Sequence, residues 1–279
     1  MIVLNTKTQI KETVREIKKK GATIGLVPTM GYLHEGHGSL IKRAVEENDY
    51  VIVSDFVNPI QFAAGEDLES YPRDFEADKK LCEELGADAI FYPDPEEMYG
   101  DTFLSHVGVY EITTVLCGKT RPTHFSGVCT VLTKLFHLSM ADRAYFGQKD
   151  AQQLAVVRRM VNDLDFNIEI IGCPIIREED GLAKSSRNTY LSADERKAAV
   201  VLSKALKEGK ELIDGGERDA SKVKDTIVSV IEKEPLAKID YVEVVDWDTL
   251  TEVSSIDGPV LAAVAVYIGK TRLIDNFIK

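Results

Sequence analysis

The sequence predicts an α/β protein, a parallel sheet wrapped by helices and followed by a smaller α+β domain. Three observations carry that prediction. Short apolar, β-branched runs recur along the first 175 residues, helical stripes separate them, and beyond residue 175 the alternation stops.

The elements follow in order. "ATIGLV" (22–27), "YVIVSDFV" (50–57), "DAIFY" (88–92), "RAYFG" (143–147) and "IEIIG" (168–172) read as strands. Between them, Leu40, Ile41, Ala44 and Val45 keep helical spacing, as do Phe75, Cys82 and Leu85 ahead of Gly86. Leu154, Val157, Val161 and Leu164 mark another helix, opening near Gln148. After "CPIIREEDGLAKSSRN", Ser192 and Glu195 form a capping box ahead of a helical pattern running through Leu212 and Ile213, which "DGG" (214–216) ends. Val223, Ile227 and Ile231 mark one more helix, which stops before Pro235; "IDYVEVVD" and "VLAAVAVYIG" then read as strands. The division falls at 1–175 and 176–279, with a polar, loop-rich joint suited to a hinge. No repeat or low-complexity segment appears.

At 279 residues and 44% hydrophobic content the chain can fill a substantial core. No apolar run approaches the roughly 20 residues of a membrane span, and the N-terminus lacks the apolar centre of a signal peptide, so a cytoplasmic protein without a membrane partner is expected. Cys82, Cys117, Cys129 and Cys173 are widely spaced and form no C-x-x-C pair, which predicts buried free thiols. A net charge of −12 argues against a nucleic-acid partner, whose binding needs clustered cations. It does not exclude a small anionic substrate, which a few local cations can hold.

"PTMGYLHEGHGSL" (28–40) sets two of the chain's five histidines among glycines where the first of these strands gives way to a helix. Open α/β sheets bind ligands at such places, and a helix start offers free N–H groups to phosphate. The lysine of a Walker A loop is absent, as is a dinucleotide G-x-G-x-x-G. His34 and His37 can instead donate N–H to phosphate without carrying a full resting charge. Zinc is the rival reading, but "HEGH" is not the H-E-x-x-H of a zincin and offers no third ligand. A purely structural histidine pair is the other.

Thr29 to His37, read as T-x-G-x-x-H-x-G-H, resembles the signature of the nucleotidyltransferase superfamily that includes class I aminoacyl-tRNA synthetases. "FVNPIQF" (56–62), "YPRD" (71–74), "RPTHFSGV" (121–128), "YFGQKDAQQL" (145–154), "DGLAKSSRN" (180–188) and "RLIDN" (272–276) are similar, in that order, to the pantothenate synthetase family. The resemblance spans about residues 3–276. It implies a Rossmann-like nucleotidyltransferase domain, binding ATP and pantoate, with a smaller C-terminal α+β lid domain. It also implies a homodimer and an ATP-dependent, AMP-forming ligase joining pantoate to β-alanine through a pantoyl adenylate.

Residue by residue, the resemblance assigns catalytic contacts to the ATP phosphates to His34, His37, Lys149, Ser185, Ser186 and Arg187. Met30, Gly147, Asp150, Ile176 and Lys184 would complete the nucleotide site, Asp150 and the Gly147 backbone at the ribose. Gln61 and Gln153 would hold pantoate through neutral amides, beside apolar walls of Pro28, Met30 and Phe62, with Asn58 fixing the loop of Gln61. ATP implies Mg²⁺, held mainly by phosphate oxygens, with Asp78 as the candidate protein ligand. Blander readings stand beside these: a solvated Arg187, a helix-start pair for Lys149 and Asp150, core packing for the apolar walls, an exposed helix face for Asp78. Lys184, Asp55 and Thr123 depart from the family pattern, and Lys184 is a candidate extra phosphate contact. A nucleotidyltransferase moving AMP onto a phosphate-ester cofactor precursor would share "HEGH" but leaves "FVNPIQF" and the paired glutamines unexplained. A synthetase-like tRNA ligase lacks a basic surface here, and a non-catalytic ATP-binding regulator is the third alternative.

Overall fold

The computed structural model describes residues 1–279. Six parallel strands form the larger sheet: β1 (Ile2–Leu4), β2 (Ile24–Thr29), β3 (Tyr50–Asp55), β4 (Ala89–Phe91), β5 (Arg143–Gly147) and β6 (Glu169–Cys173), in the order β1-β4-β3-β2-β5-β6. The apolar runs of β2 and β3 require cover on both faces, and helices supply it. On one side α1 (Lys7–Lys19), α6 (His124–Ser139) and α7 (Ala151–Asp163) enclose Ile10, Leu26, Phe91, Leu132, Leu154 and Met160. On the other, α2 (Glu35–Glu47) and α3 (Phe75–Glu84) cover Val27, Ile41, Val53 and Cys82. Two short helices, α4 (Pro95–Tyr99) and α5 (Cys117–Thr120), lie in the long connection from β4 to α6.

The chain builds outward from β2 to β3 and β4 on one side, then returns to add β5 and β6 on the other. The reversal opens a crevice at the carboxyl ends of β2 and β5, where such sheets bind ligands. The histidine turn follows β2 and Gly147–Asp150 follows β5, so two of the sequence motifs face each other across it.

The C-terminal part consists of α8 (Ala193–Ala198), α9 (Val201–Asp214), α10 (Ala220–Ile231) and an antiparallel sheet of β7 (Ala237–Asp246), β8 (Val260–Ile268) and β9 (Thr271–Ile278) in the order β7-β8-β9. Leu202, Leu206, Val223 and Ile227 pack against Val244, Val264 and Val266 in a separate core. This sheet touches the crevice directly. Asn276 on β9 donates from Nδ2 to the carbonyl oxygens of Gln148 (3.0 Å) and Lys149 (2.8 Å). Arg177 grips Asp275 at 2.7 and 2.9 Å, which ties the 176–188 loop to the same strand.

The structure corrects the element boundaries in four places. Leu164 caps α7 rather than extending its stripe and is 53% exposed. Gln148–Asp150 forms a separate 3-10 turn ahead of α7, and the long pattern after Ser192 divides into α8 and α9. "RLIDN" belongs to the additional strand β9. The Ser192–Glu195 capping box is present, and all four cysteines are buried and free. No helix is long and apolar enough to cross a membrane.

Candidate active site

β2 ends at Thr29, and the chain then reverses through Gly31 and Tyr32, both at positive φ (77° and 52°). Asp78, in the first turn of α3, accepts hydrogen bonds from the backbone N–H groups of Tyr32 and Leu33, each at 2.6 Å. The turn therefore enters α2 in a fixed posture. His34 is the N-cap of α2: its Nδ1 accepts from Gly36 N–H at 3.1 Å, while His37 Nδ1 accepts from His34 N–H at 3.3 Å. The two histidines thus make a reciprocal capping box, with ring centroids 4.2 Å apart.

That arrangement fixes the chemistry of both rings. A neutral imidazole whose Nδ1 accepts carries its proton on Nε2, so each ring is left with one N–H donor. Both rings stay neutral at pH 7. Desolvation in the cleft, reinforced by Lys149 and Lys184, lowers His34 to about 4; desolvation, with His34 and Lys149 nearby, lowers His37 to about 3.

The crevice holds two adjoining chambers. The smaller, of about 210 Å³, is lined by His34, His37, Gln61, Gln153, Lys149 and Arg187, and also by Pro28, Met30, Gly147, Asp150, Ile176, Lys184, Ser185 and Ser186. The larger, of about 610 Å³, shares Lys149, Asp150, Gln153, Ser185 and Arg187 and extends to β9. Of the candidate site residues, only Phe62 and Asp78 lie outside both. Phe62 packs edge-on against Tyr71 instead of forming a wall; Phe56, Val128, Leu132 and Leu135 supply the apolar lining. Asp78 is buried behind the histidine turn, where both oxygens are engaged by backbone N–H groups. These contacts brace the turn, and Asp78, the expected metal ligand, reaches neither chamber.

Gln61 is presented by a 3-10 turn, Pro59–Gln61, pressed against α6. The close approach depends on Gly127, since a Cβ there would come within 2.5 Å of Ile60 O and Gln61 Cα. Asn58 fixes the turn as expected: its Nδ2 donates to Gln61 Oε1 and Gly127 O, both at 3.1 Å, and its Oδ1 accepts from Tyr99 OH at 2.6 Å. Gln61 Nε2 reaches Met30 Sδ at 2.7 Å, joining the amide to the strand end.

On the opposite wall each cation has a carboxylate partner. Arg187 makes a two-bond fork with Asp67 (2.9 and 3.0 Å) and lies over the Tyr71 ring, while Tyr71 OH meets Ser186 Oγ at 3.2 Å. Lys184 pairs with Glu35 (2.8 Å) and Glu178 (3.1 Å), and Lys149 with Asp150 (3.4 Å). Arg121 holds Glu66. Sequence reasoning assigned no role to Asp67, Glu66, Tyr71, Arg121 or His124. The signal was available in "YPRD" and "RPTHFSGV", which supply three of the five. His124 Nδ1–H donates to the Gln61 carbonyl oxygen at 3.0 Å, and burial, with Arg121 beside it, lowers its pKa to about 4. Thr123, a departure from the family pattern, is the N-cap of α6 at φ −93°, a backbone that any residue adopts. Glycine is not required there.

A parallel sheet whose switch point carries two neutral histidine donors, opposite a lysine and a serine–arginine loop, defines an HxGH nucleotidyltransferase-type enzyme. The particular family follows from comparison. The chain belongs to the pantoate-beta-alanine ligase family, whose model matches residues 2–278. It is 60% identical over 277 residues to the pantothenate synthetase of Clostridium acetobutylicum, covering 99% of each chain, and 61% identical to that of Clostridium novyi, covering 100% and 98%. The crystal structure of pantothenate synthetase from Thermus thermophilus superposes with a TM-score of 0.95 at 44% identity, covering 99% of each chain. The pantoate-beta-alanine ligase of Francisella tularensis, complexed with beta-gamma ATP and beta-alanine, does so at 0.80 and 34% identity, covering 100% and 97%.

Proposed function

We propose that this chain condenses pantoate with β-alanine at the expense of ATP, forming pantothenate, AMP and pyrophosphate. The observation that carries the reading is the convergence, on the two adjoining chambers of one crevice, of the motifs that span the family match. A pantoate carboxylate oxygen attacks the α-phosphorus of ATP and pyrophosphate leaves. The β-alanine amine then attacks the acyl carbon, AMP leaves, and the ammonium proton passes to solvent.

The side chains suit the charges that move. The first step brings an anion to a polyanion and builds charge on the phosphoryl oxygens, so donors fixed in advance should supply most of the acceleration. In this reading the Nε2–H groups of His34 and His37 meet the phosphates, and Lys149 adds a permanent charge. Ser185, Ser186 and Arg187 clamp the β- and γ-phosphates, the arginine through its planar fork. Met30, Ile176 and Lys184 line the nucleotide, and Asp150 with the Gly147 backbone meets the ribose. Gln61 and Gln153 hold pantoate through uncharged amides, which leaves its carboxylate unpaired and nucleophilic. Mg²⁺ would arrive on the ATP phosphates, since oxygen donors suit it and the crevice gathers no cage of three acidic or histidine ligands.

We further propose that residues 1–175 and 176–279 act as a binding domain and a lid, and that the enzyme is a cytoplasmic homodimer. The deciding assay follows pantoate-dependent ATP–pyrophosphate exchange without β-alanine, then AMP release once it is added. Exchange that ignores pantoate, or AMP transfer to phosphate esters alone, would overturn the reading.

A further inference from the structure

The floor of the smaller chamber carries a polar group that nothing in the protein satisfies. Ser54, next to last in β3, is 0% exposed, and its Oγ has no hydrogen-bond partner. It lines the chamber. Buried hydroxyls are nearly always paired, because leaving one dry costs folded stability, so a lone one requires a reason.

Side-chain alternation along β3 gives its direction. Val51 and Val53 pack with Ile41 and Cys82 on the side of α2 and α3, while Ile52 packs with Phe56, Leu132 and Leu135 on the α6 side. Ser54, in step with Ile52, faces α6. It is paired in register with Pro28 on β2, below the turn that carries His34 and His37. The wall around it is apolar, made by Pro28, Phe56, Val128, Leu132 and Leu135. The neighbouring polar side chains are already engaged. Thr29 Oγ1 donates to the Ser54 carbonyl oxygen at 2.8 Å and accepts from Gly31 N–H at 3.1 Å. Asn58 spends its amide on Gln61, Gly127 and Tyr99.

A ligand that fills this end must be mostly apolar and carry one hydroxyl away from its reacting group. Pantoate has that form. Its carboxylate must reach the α-phosphorus of ATP beside the histidines and Lys149, which leaves two methyl groups and a primary hydroxyl for the floor. We propose that Ser54 is a specificity-determining contact for pantoate, its Oγ exchanging a hydrogen bond with the primary hydroxyl of the substrate while the apolar walls take the methyl groups. This deepens the reading that the smaller chamber holds pantoate, and rests on it. The fold keeps a hydroxyl unpaired until the right acid supplies its partner. An acid of the same shape without that hydroxyl leaves Ser54 unpaired and is rejected for that reason.

The experiment titrates the full chain calorimetrically with pantoate and with its deoxy analogue lacking the primary hydroxyl, an α,β-methylene analogue of ATP being present in both arms. Wild type should prefer pantoate by about tenfold, the worth of one hydrogen bond. Ser54→Ala should bind pantoate about tenfold more weakly and the deoxy acid as well as wild type does. Its unfolding midpoint without ligand should equal or exceed that of wild type, because the hydroxyl removed has no partner in the protein. Unchanged pantoate affinity in Ser54→Ala, equal losses for the two acids, or a lowered midpoint would each overturn the proposal. If wild type binds neither acid, the functional reading falls and takes this contact with it; if wild type binds both and Ser54→Ala binds both equally well, only the contact falls.

Discussion

The two walls of the crevice solve the same electrostatic problem by opposite means. The histidine wall is uncharged and locked: each imidazole is tied through Nδ1 to the start of α2, and Asp78 braces the turn from behind. The Ser185–Arg187 wall is permanently charged, with Arg187 held on Asp67 and the neighbouring Lys184 on Glu35 and Glu178. Neutral donors can receive a polyanion as they stand. Cations already paired must exchange partners, and a partly exposed ion pair of this kind contributes only about 1 kcal/mol, so a triphosphate can displace the carboxylate. The difference separates a preorganised wall from one that responds to its ligand.

The largest test removes a donor from the locked wall. His37→Ala should lower pantoate adenylation by about 10²-fold or more, the usual loss for a charge-stabilising donor. Thermal stability should change far less, because the lost helix cap costs about 1 kcal/mol. Near-wild-type exchange rates would break the comparison at its stronger side.

The responsive wall should give smaller effects and, at one position, an effect of opposite sign. Arg187→Lys keeps the charge but loses the fork, and the KM for ATP should rise by about tenfold. Asp67→Asn removes the carboxylate that competes with phosphate, so ATP should bind about threefold tighter by titration calorimetry. Weaker ATP binding in Asp67→Asn would mean that Asp67 positions the arginine rather than occupying it.

How much of this was legible in the sequence depended on distance along the chain. Strands β2 to β6 and helices α2, α3 and α7 announce themselves by local periodicity, and the histidine turn by its glycines. Strand β1 is three residues long, too short for a pattern, and β9 was read only as the "RLIDN" motif. Within the site, Pro28, Met30, Gln61 and Gln153 reach the crevice because each flanks a strand end or a helix start beside it. Phe62 and Asp78 do not, because a one-residue step along the Pro59–Gln61 turn, or burial of one face of α3, redirects a side chain in ways that motif spacing does not record. The Asp67–Arg187 pair joins residues 120 apart, and the bonds from Asp78 to the histidine turn depend on how α3 packs beside the start of α2. No local pattern encodes either.

Lys184 offers the smallest and sharpest test, because it stands where the two walls meet. The side chain lines the smaller chamber, and the Lys184 Cβ lies 3.8 Å from where a Cβ on Gly36 would stand at the start of α2. Its ammonium bridges Glu35, on α2, and Glu178, on its own loop. It also contributes to the low proton affinity of His34. When ATP arrives, that ammonium can move a short distance from Glu35 to a phosphate oxygen, so one charge would couple the responsive wall to the locked one. Glu35 is well exposed, so its release costs little. Lys184→Met should raise the KM for ATP by about threefold at low ionic strength, with the difference shrinking as salt is added and kcat nearly unchanged. An ATP KM equal to wild type at low salt would exclude the phosphate contact and leave Lys184 as a structural link between Glu35 and Glu178.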